Sequence, residues 1–67
     1  MQDVSTSTSP ASVGARIRAR RIQADLTQVE LAQAVSVGQT AVSQWERGMT
    51  VPTLRNLATI AHVLGCS

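Results

Sequence analysis

Sixty-seven residues with a net charge of +2 allow one domain with a modest core, since so short a chain buries only about 60% of its unfolded surface. One cysteine, Cys66, and one histidine, His62, exclude a disulfide framework or a four-ligand zinc site within one chain. No apolar run approaches the roughly 18 residues of a membrane span, and "MQDVSTSTSP" lacks the basic start and apolar stretch of a signal peptide, so a cytoplasmic protein is expected.

Residues 1–12 are rich in serine and threonine with almost nothing to bury, and they read as a disordered tail ahead of a domain over 13–67. From there the texture is helical. No stretch alternates apolar and polar residues for long enough to make a strand. The first helix is expected over 13–24, with Ser12 as N-cap and Val13, Ile17, Arg21 and Ala24 in one stripe. It carries four of the six arginines in "ARIRARR" (residues 15–21), so Arg16, Arg18 and Arg20 make a basic face that is either solvated or drawn to phosphates. Leu26 closes the turn. "TQVE" then sets a capping box, Thr27 with Glu30 three residues later, opening a helix over 28–35 with Leu31, Ala32 and Val35 inward.

"SVGQ" turns the chain, and Gly38 caps a third helix over 39–47 that stops at Gly48. At about 100° per residue, Gln39, Thr40, Ser43, Gln44 and Arg47 share an arc of about 140°, with Ala41, Val42 and Trp45 opposite. A face that needs only solubility more often carries Lys and Glu, whereas glutamine amides offer a donor and an acceptor together, which suits reading another molecule. Pro52 or Thr53 opens a fourth helix, expected to bury Leu54, Leu57, Ala58, Ala61 and Leu64 and to end at Gly65. Arg55 and Asn56 in its first turn either bind a phosphate together with the helix N-terminus or have no role in binding.

The frame "TQVELAQAVSVGQTAVSQWERG", with "RIRARRIQ" before it and "LRNLATIAHVLG" after it, resembles the lambda-repressor-like (XRE-type) helix-turn-helix family of phage repressors and Cro proteins. Leu31, Val35, Val37, Val42 and Trp45 fill the buried positions of such a pair of helices, with Ala32 at their closest approach. The resemblance implies an all-α, compact four- to five-helix domain of a cytoplasmic, nucleoid-associated regulator encoded by a bacterium or phage. It would bind double-stranded operator DNA as a homodimer, with helix 39–47 in the major groove.

Residue by residue, the resemblance places Gln39, Thr40 and Gln44 at bases, with Ser43 and Arg47 beside them facing base or phosphate. It gives Gln28 a phosphate and the bracing of Gln39, and it makes Arg21 and Glu46 a partly buried ion pair that also turns Arg21 towards a phosphate. Arg18, Arg55 and Asn56 complete the expected phosphate contacts. The chemistry agrees: a glutamine amide can pair with adenine N6 and N7, and a threonine methyl can meet the thymine methyl.

Three departures from the family stand out. Ser36 replaces the usual glycine of the left-handed turn, at a strain of up to about 1–2 kcal/mol. Gly38 replaces the usual Ser or Thr cap, a loss of a few tenths of a kcal/mol. "GMTVP" has none of the basic residues that related repressors often carry there, which argues against minor-groove contact by this loop. The chain stops at "GCS", where the family begins a fifth helix, so it is either a trimmed domain or dimerises differently.

No serine has a histidine and an acid placed to form a triad, so no enzyme is expected, and no metal, cofactor, small-molecule ligand or membrane is implied. Trp45 is expected in the core rather than as a base-stacking platform, and His62 and Cys66 as bystanders. Two other uses of the fold remain open: the antitoxin of a toxin–antitoxin pair, and a protein-interaction module that has lost DNA binding.

Overall fold

A computed structural model describes residues 10–65, which form four helices: α1 (Pro10–Gln23), α2 (Gln28–Val35), α3 (Gln39–Glu46) and α4 (Leu54–Leu64). The first helix starts at Pro10, ahead of the expected start at residue 13. Residues 1–9, Cys66 and Ser67 lie outside the described part, and Ser12 sits inside the first turn of α1 instead of capping it. Proline suits the first helical position, where its fixed φ is helical and its missing N–H would have had no partner.

Three of the helices leave through the same device. Asp25, Ser36 and Gly48 each adopt a left-handed backbone, with φ of 65°, 66° and 75°. Each turn is closed by a bond from the next residue back to the last turn: Leu26 N–H to the Arg21 carbonyl at 3.1 Å, Val37 N–H to Ala32 at 2.9 Å, and Met49 N–H to Gln44 at 2.9 Å. These Schellman closures satisfy carbonyls that the helices leave over and fold the following residue back onto the helix. Ser36 adopts the left-handed conformation expected of it, without glycine's freedom. Arg47, expected as the last residue of the third helix, instead follows it, with φ −89° and ψ 0°.

The helix starts are equally local. At α2 both halves of the capping box form: Glu30 N–H donates to Thr27 Oγ1 at 3.0 Å, and Thr27 N–H donates to Glu30 Oε1 at 2.8 Å. Gly38 caps α3 with no side-chain bond. Thr53 caps α4, its Oγ1 accepting from Asn56 N–H at 3.1 Å.

The core joins all four helices through Ile17, Leu31, Ala32, Val35, Val42, Trp45 and Ile60, with Val13, Val37, Ala41, Val63 and Leu64 packed against it. Leu31 and Val42 have no exposed surface, so the seam between α2 and α3 is the driest part of the molecule. The phase of α4 departs from the expected stripe. Leu54 is 84% exposed and Ala58 is exposed, while Ile60, outside that stripe, is buried. Leu57, Ala61 and Leu64 of the expected stripe stay half-buried, but the core contact is made by Ile60 with Val63 and Leu64 beside it. Ala58 and Ala61 carry little area to hide, whereas Ile60 and Val63 gain more from burial, so they set the face. Leu57, Ala61 and Leu64 line an open groove against Val13 and Ile17 of α1.

Gly14 has a structural role that its position in a helical run hides. A Cβ there would run into the carbonyl oxygen of Trp45 and lie 3.1 Å from the Glu46 backbone. The α1 backbone thus lies directly on the last turn of α3. Among the described residues, no helix is long and apolar enough to cross a membrane, and no group of His, Cys, Asp and Glu could hold a metal.

Candidate nucleic-acid interface

The capping box fixes the start of α2, so Gln28 stands at its first helical position, and Gly38 does the same for Gln39 on α3. The turn through Ser36 brings these first residues together. Gln39 Nε2 donates to Gln28 Oε1 at 3.2 Å, and Gln28 Nε2 donates to Glu46 Oε1 at 3.1 Å. Glu46 is itself clamped by Arg21: Nε donates to Oε2 at 2.6 Å and Nη2 to Oε1 at 3.0 Å, while Nη1 donates to the Leu26 carbonyl at 2.8 Å. Four side chains from α1, α2 and α3 therefore form one continuous network that runs from the protein interior to the tip of α3.

The Arg21–Glu46 pair is nearly dry, with side-chain exposures of 12% and 3%. Hydrogen bonding to Glu46 raises the Arg21 pKa above its ordinary value, burial works against this, and charge attraction to Glu46 adds to it. The two-pronged geometry suits a planar guanidinium and would not survive exchange for lysine. Gly14 is part of the same construction, because its missing side chain lets α1 sit against the Glu46 backbone.

On α3, Gln39, Thr40 and Arg47 are exposed and Ser43 and Gln44 half-buried, all on one arc, while Val42 and Trp45 are buried on the other. Trp45 belongs to the core, as its 5% exposure requires. The cations of α1 divide between two sides. Arg18 is exposed beside Ala15, Ala19, Ile22 and Glu46, towards α3, whereas Arg16 and Arg20 border the groove against α4. Arg55 is exposed and Asn56 half-buried at the head of α4, where the Asn56 N–H is already used by the Thr53 cap. None of the hydrogen bonds described joins Arg55 or Asn56 to the Gln39–Gln28–Glu46–Arg21 network. The bond from Gln28 to Glu46 escaped the reading of the sequence, since nothing local links positions so far apart. Gly14 left a faint trace as a glycine inside a helical pattern.

A family model described as helix-turn-helix matches residues 17–67. The chain belongs to this helix-turn-helix family. It is 45% identical over 60 residues to the HTH-type transcriptional regulator DicA of Escherichia coli (strain K12), covering 90% of this chain and 44% of DicA. It is 44% identical over 55 residues to Repressor protein C2 of Salmonella phage P22, covering 82% of this chain and 26% of that repressor. The chain thus spans less than half the length of these relatives.

Among solved structures, the clp gene regulator ClgR from Corynebacterium glutamicum superposes with a TM-score of 0.83 at 34% identity, over 87% of this chain and 62% of that one. The P22 c2 repressor in complex with a synthetic operator superposes with a TM-score of 0.78 at 44% identity, over 82% of this chain and 83% of that one. The helix-turn-helix unit is α2 and α3, and its four-helix setting is the fold of these repressor domains.

Proposed function

We propose that this domain binds double-stranded operator DNA by sequence, with α3 in the major groove, and works as a transcriptional repressor in two-fold pairs of copies. The observation that carries this reading is the bracing of Gln39. An exposed amide at the tip of α3 is held by Gln28, which is held in turn by a nearly dry carboxylate. A solvated surface has no need of such bracing. A side chain that must meet a base edge at a fixed angle does. The P22 repressor of the same fold is known in complex with operator DNA, which supports the reading.

In this role Gln39 and Gln44 pair with base edges, the Thr40 methyl meets a thymine methyl, and Ser43 bonds whichever base lies beneath it. Gln28, through its second Nε2 hydrogen, and Arg21, through its outer Nη hydrogens, bind phosphates, joined by Arg18, Arg47, Arg55 and Asn56. The domain acts by binding, without catalysis or cofactor, at the nucleoid in the cytoplasm of a bacterium. One recognition helix reads too few base pairs for a genome, so two copies engage half-sites about 10–10.5 base pairs apart, centre to centre.

Selection of bound duplexes from a random pool tests this. The expected product is an inverted repeat with that spacing, bound with an affinity that falls by about 0.9 log units per phosphate neutralised for each log unit of salt. A pool that yields no enriched sequence, with binding to protein partners little affected by salt, would favour the interaction module and overturn the reading.

A further inference from the structure

Glu46 lies behind the reading surface, yet its carboxylate ends the chain of hydrogen bonds that holds Gln39. We infer that Glu46 is a positioning residue for base choice: it sets which way round the Gln28 amide lies, and through Gln28 which atoms Gln39 presents to DNA. This rests on the proposal that Gln39 reads a base.

An amide has almost the same shape when its oxygen and nitrogen are exchanged, so shape alone does not orient it. A carboxylate does. Both Glu46 oxygens accept from Arg21, and a carboxylate offers no donor, so only the Nε2 end of Gln28 can lie 3.1 Å from Glu46 Oε1. Gln28 Oε1 is thereby aimed at Gln39, whose Nε2 donates to it at 3.2 Å. Gln39 then keeps one N–H and its Oε1 for DNA, the donor–acceptor pair that matches adenine N7 and N6.

The opposite orientation has a different product. With Gln28 Nε2 towards Gln39, the Gln39 oxygen would turn to accept from it, and the acceptor and donor that Gln39 shows to DNA would change places. Exchanged in this way, the carbonyl would face the adenine N7 acceptor and the NH₂ the adenine N6 donor, so the match to adenine is lost. Glu46 therefore holds Gln39 in the orientation that matches adenine without touching DNA. Arg21 takes part as the group that holds the carboxylate in place, and Gly14 by letting α1 lie on the Glu46 backbone.

The test is Glu46→Gln, because a glutamine at this position can donate as well as accept and so permits either orientation of Gln28. Its readout is the ratio of affinities for duplexes carrying adenine or guanine at the base pair whose preference Gln39→Ala abolishes. A ratio within one variant cancels any loss of folded protein. A bidentate contact supports a preference of about 5- to 150-fold, and Glu46→Gln should bring it towards unity. In a Gln28→Met background, which has no amide to orient, Glu46→Gln should leave the ratio unchanged.

A ratio unaffected by Glu46→Gln, or lowered as much in the Gln28→Met background, would overturn the inference. If Gln39→Ala alters preference at no base pair, the reading role itself fails and this assignment falls with it. The Gln39 side-chain amide resonances of the DNA-free chain then show whether the orienting network exists, since they should shift on Glu46→Gln.

Discussion

The seam between α2 and α3 and the groove between α1 and α4 are built to different standards. The first is closed: Leu31 and Val42 are fully buried, and the polar residues at its mouth are tied to one another. The second is open, with Leu57, Ala61 and Leu64 half-buried along it and Leu54 84% exposed at the head of α4. Burial and side-chain hydrogen bonding are concentrated beneath the arc proposed to read bases. A reading surface gains from a packed, hydrogen-bonded support, because a loosely held side chain loses affinity in being ordered at each binding event.

Truncation on the two sides breaks this comparison most directly. Leu31→Ala should destabilise the fold by about 2–5 kcal/mol, enough to unfold much of so small a domain. Leu54→Ala should stay within about 0.5 kcal/mol. Urea unfolding of the two variants checks this, and comparable losses would mean that the α4 side is more tightly packed than described.

Gly14→Ala comes next. Its added methyl must push against the Trp45 carbonyl, so an overpacking cost of about 1–3 kcal/mol is expected. Because the displaced backbone carries Glu46, the Gln39 side-chain amide signals should shift as well. A melting temperature and spectrum equal to those of the parent would show that α1 does not rest on α3 there.

Ser36→Gly has the smallest effect and the opposite sign. Its φ of 66° suits glycine better, and relief of that strain should stabilise by up to about 1 kcal/mol, offset in part by the extra freedom glycine gives the unfolded chain. Thermal melting measures the balance, and a destabilised variant would show that the Ser36 side chain contributes more than its strain costs.

The same division governs what could be read from the sequence. Thr27 and Glu30 form a capping box recognisable from spacing alone, and Leu31, Ala32 and Val35 follow at helical intervals, so α2 was legible from end to end. The phase of α4 was not, because two alanines count as apolar in a pattern but weigh little against Ile60 in a core. Composition places Pro10 in the tail, although its chemistry suits the first turn of a helix, where the structure has it.

At the candidate site, the outward arc of α3 was legible from periodicity, and the Arg21–Glu46 pair only from resemblance to a family. The Gln28–Glu46 bond and the need for Gly14 depend on how distant segments meet in space. No local pattern records that.

The central claim is that the neutral arc of α3 reads bases while the surrounding cations bind phosphates. It is tested by measuring Gln44→Ala and Gln39→Ala on the selected site and on random duplex at several salt concentrations. Each should cost about 1–3 kcal/mol on the selected site and much less on random DNA, with the salt slope unchanged. Arg18→Ala should weaken both DNAs alike and flatten the slope. Equal losses on both DNAs for Gln44→Ala and Gln39→Ala would contradict the account and remove α3 as the reader.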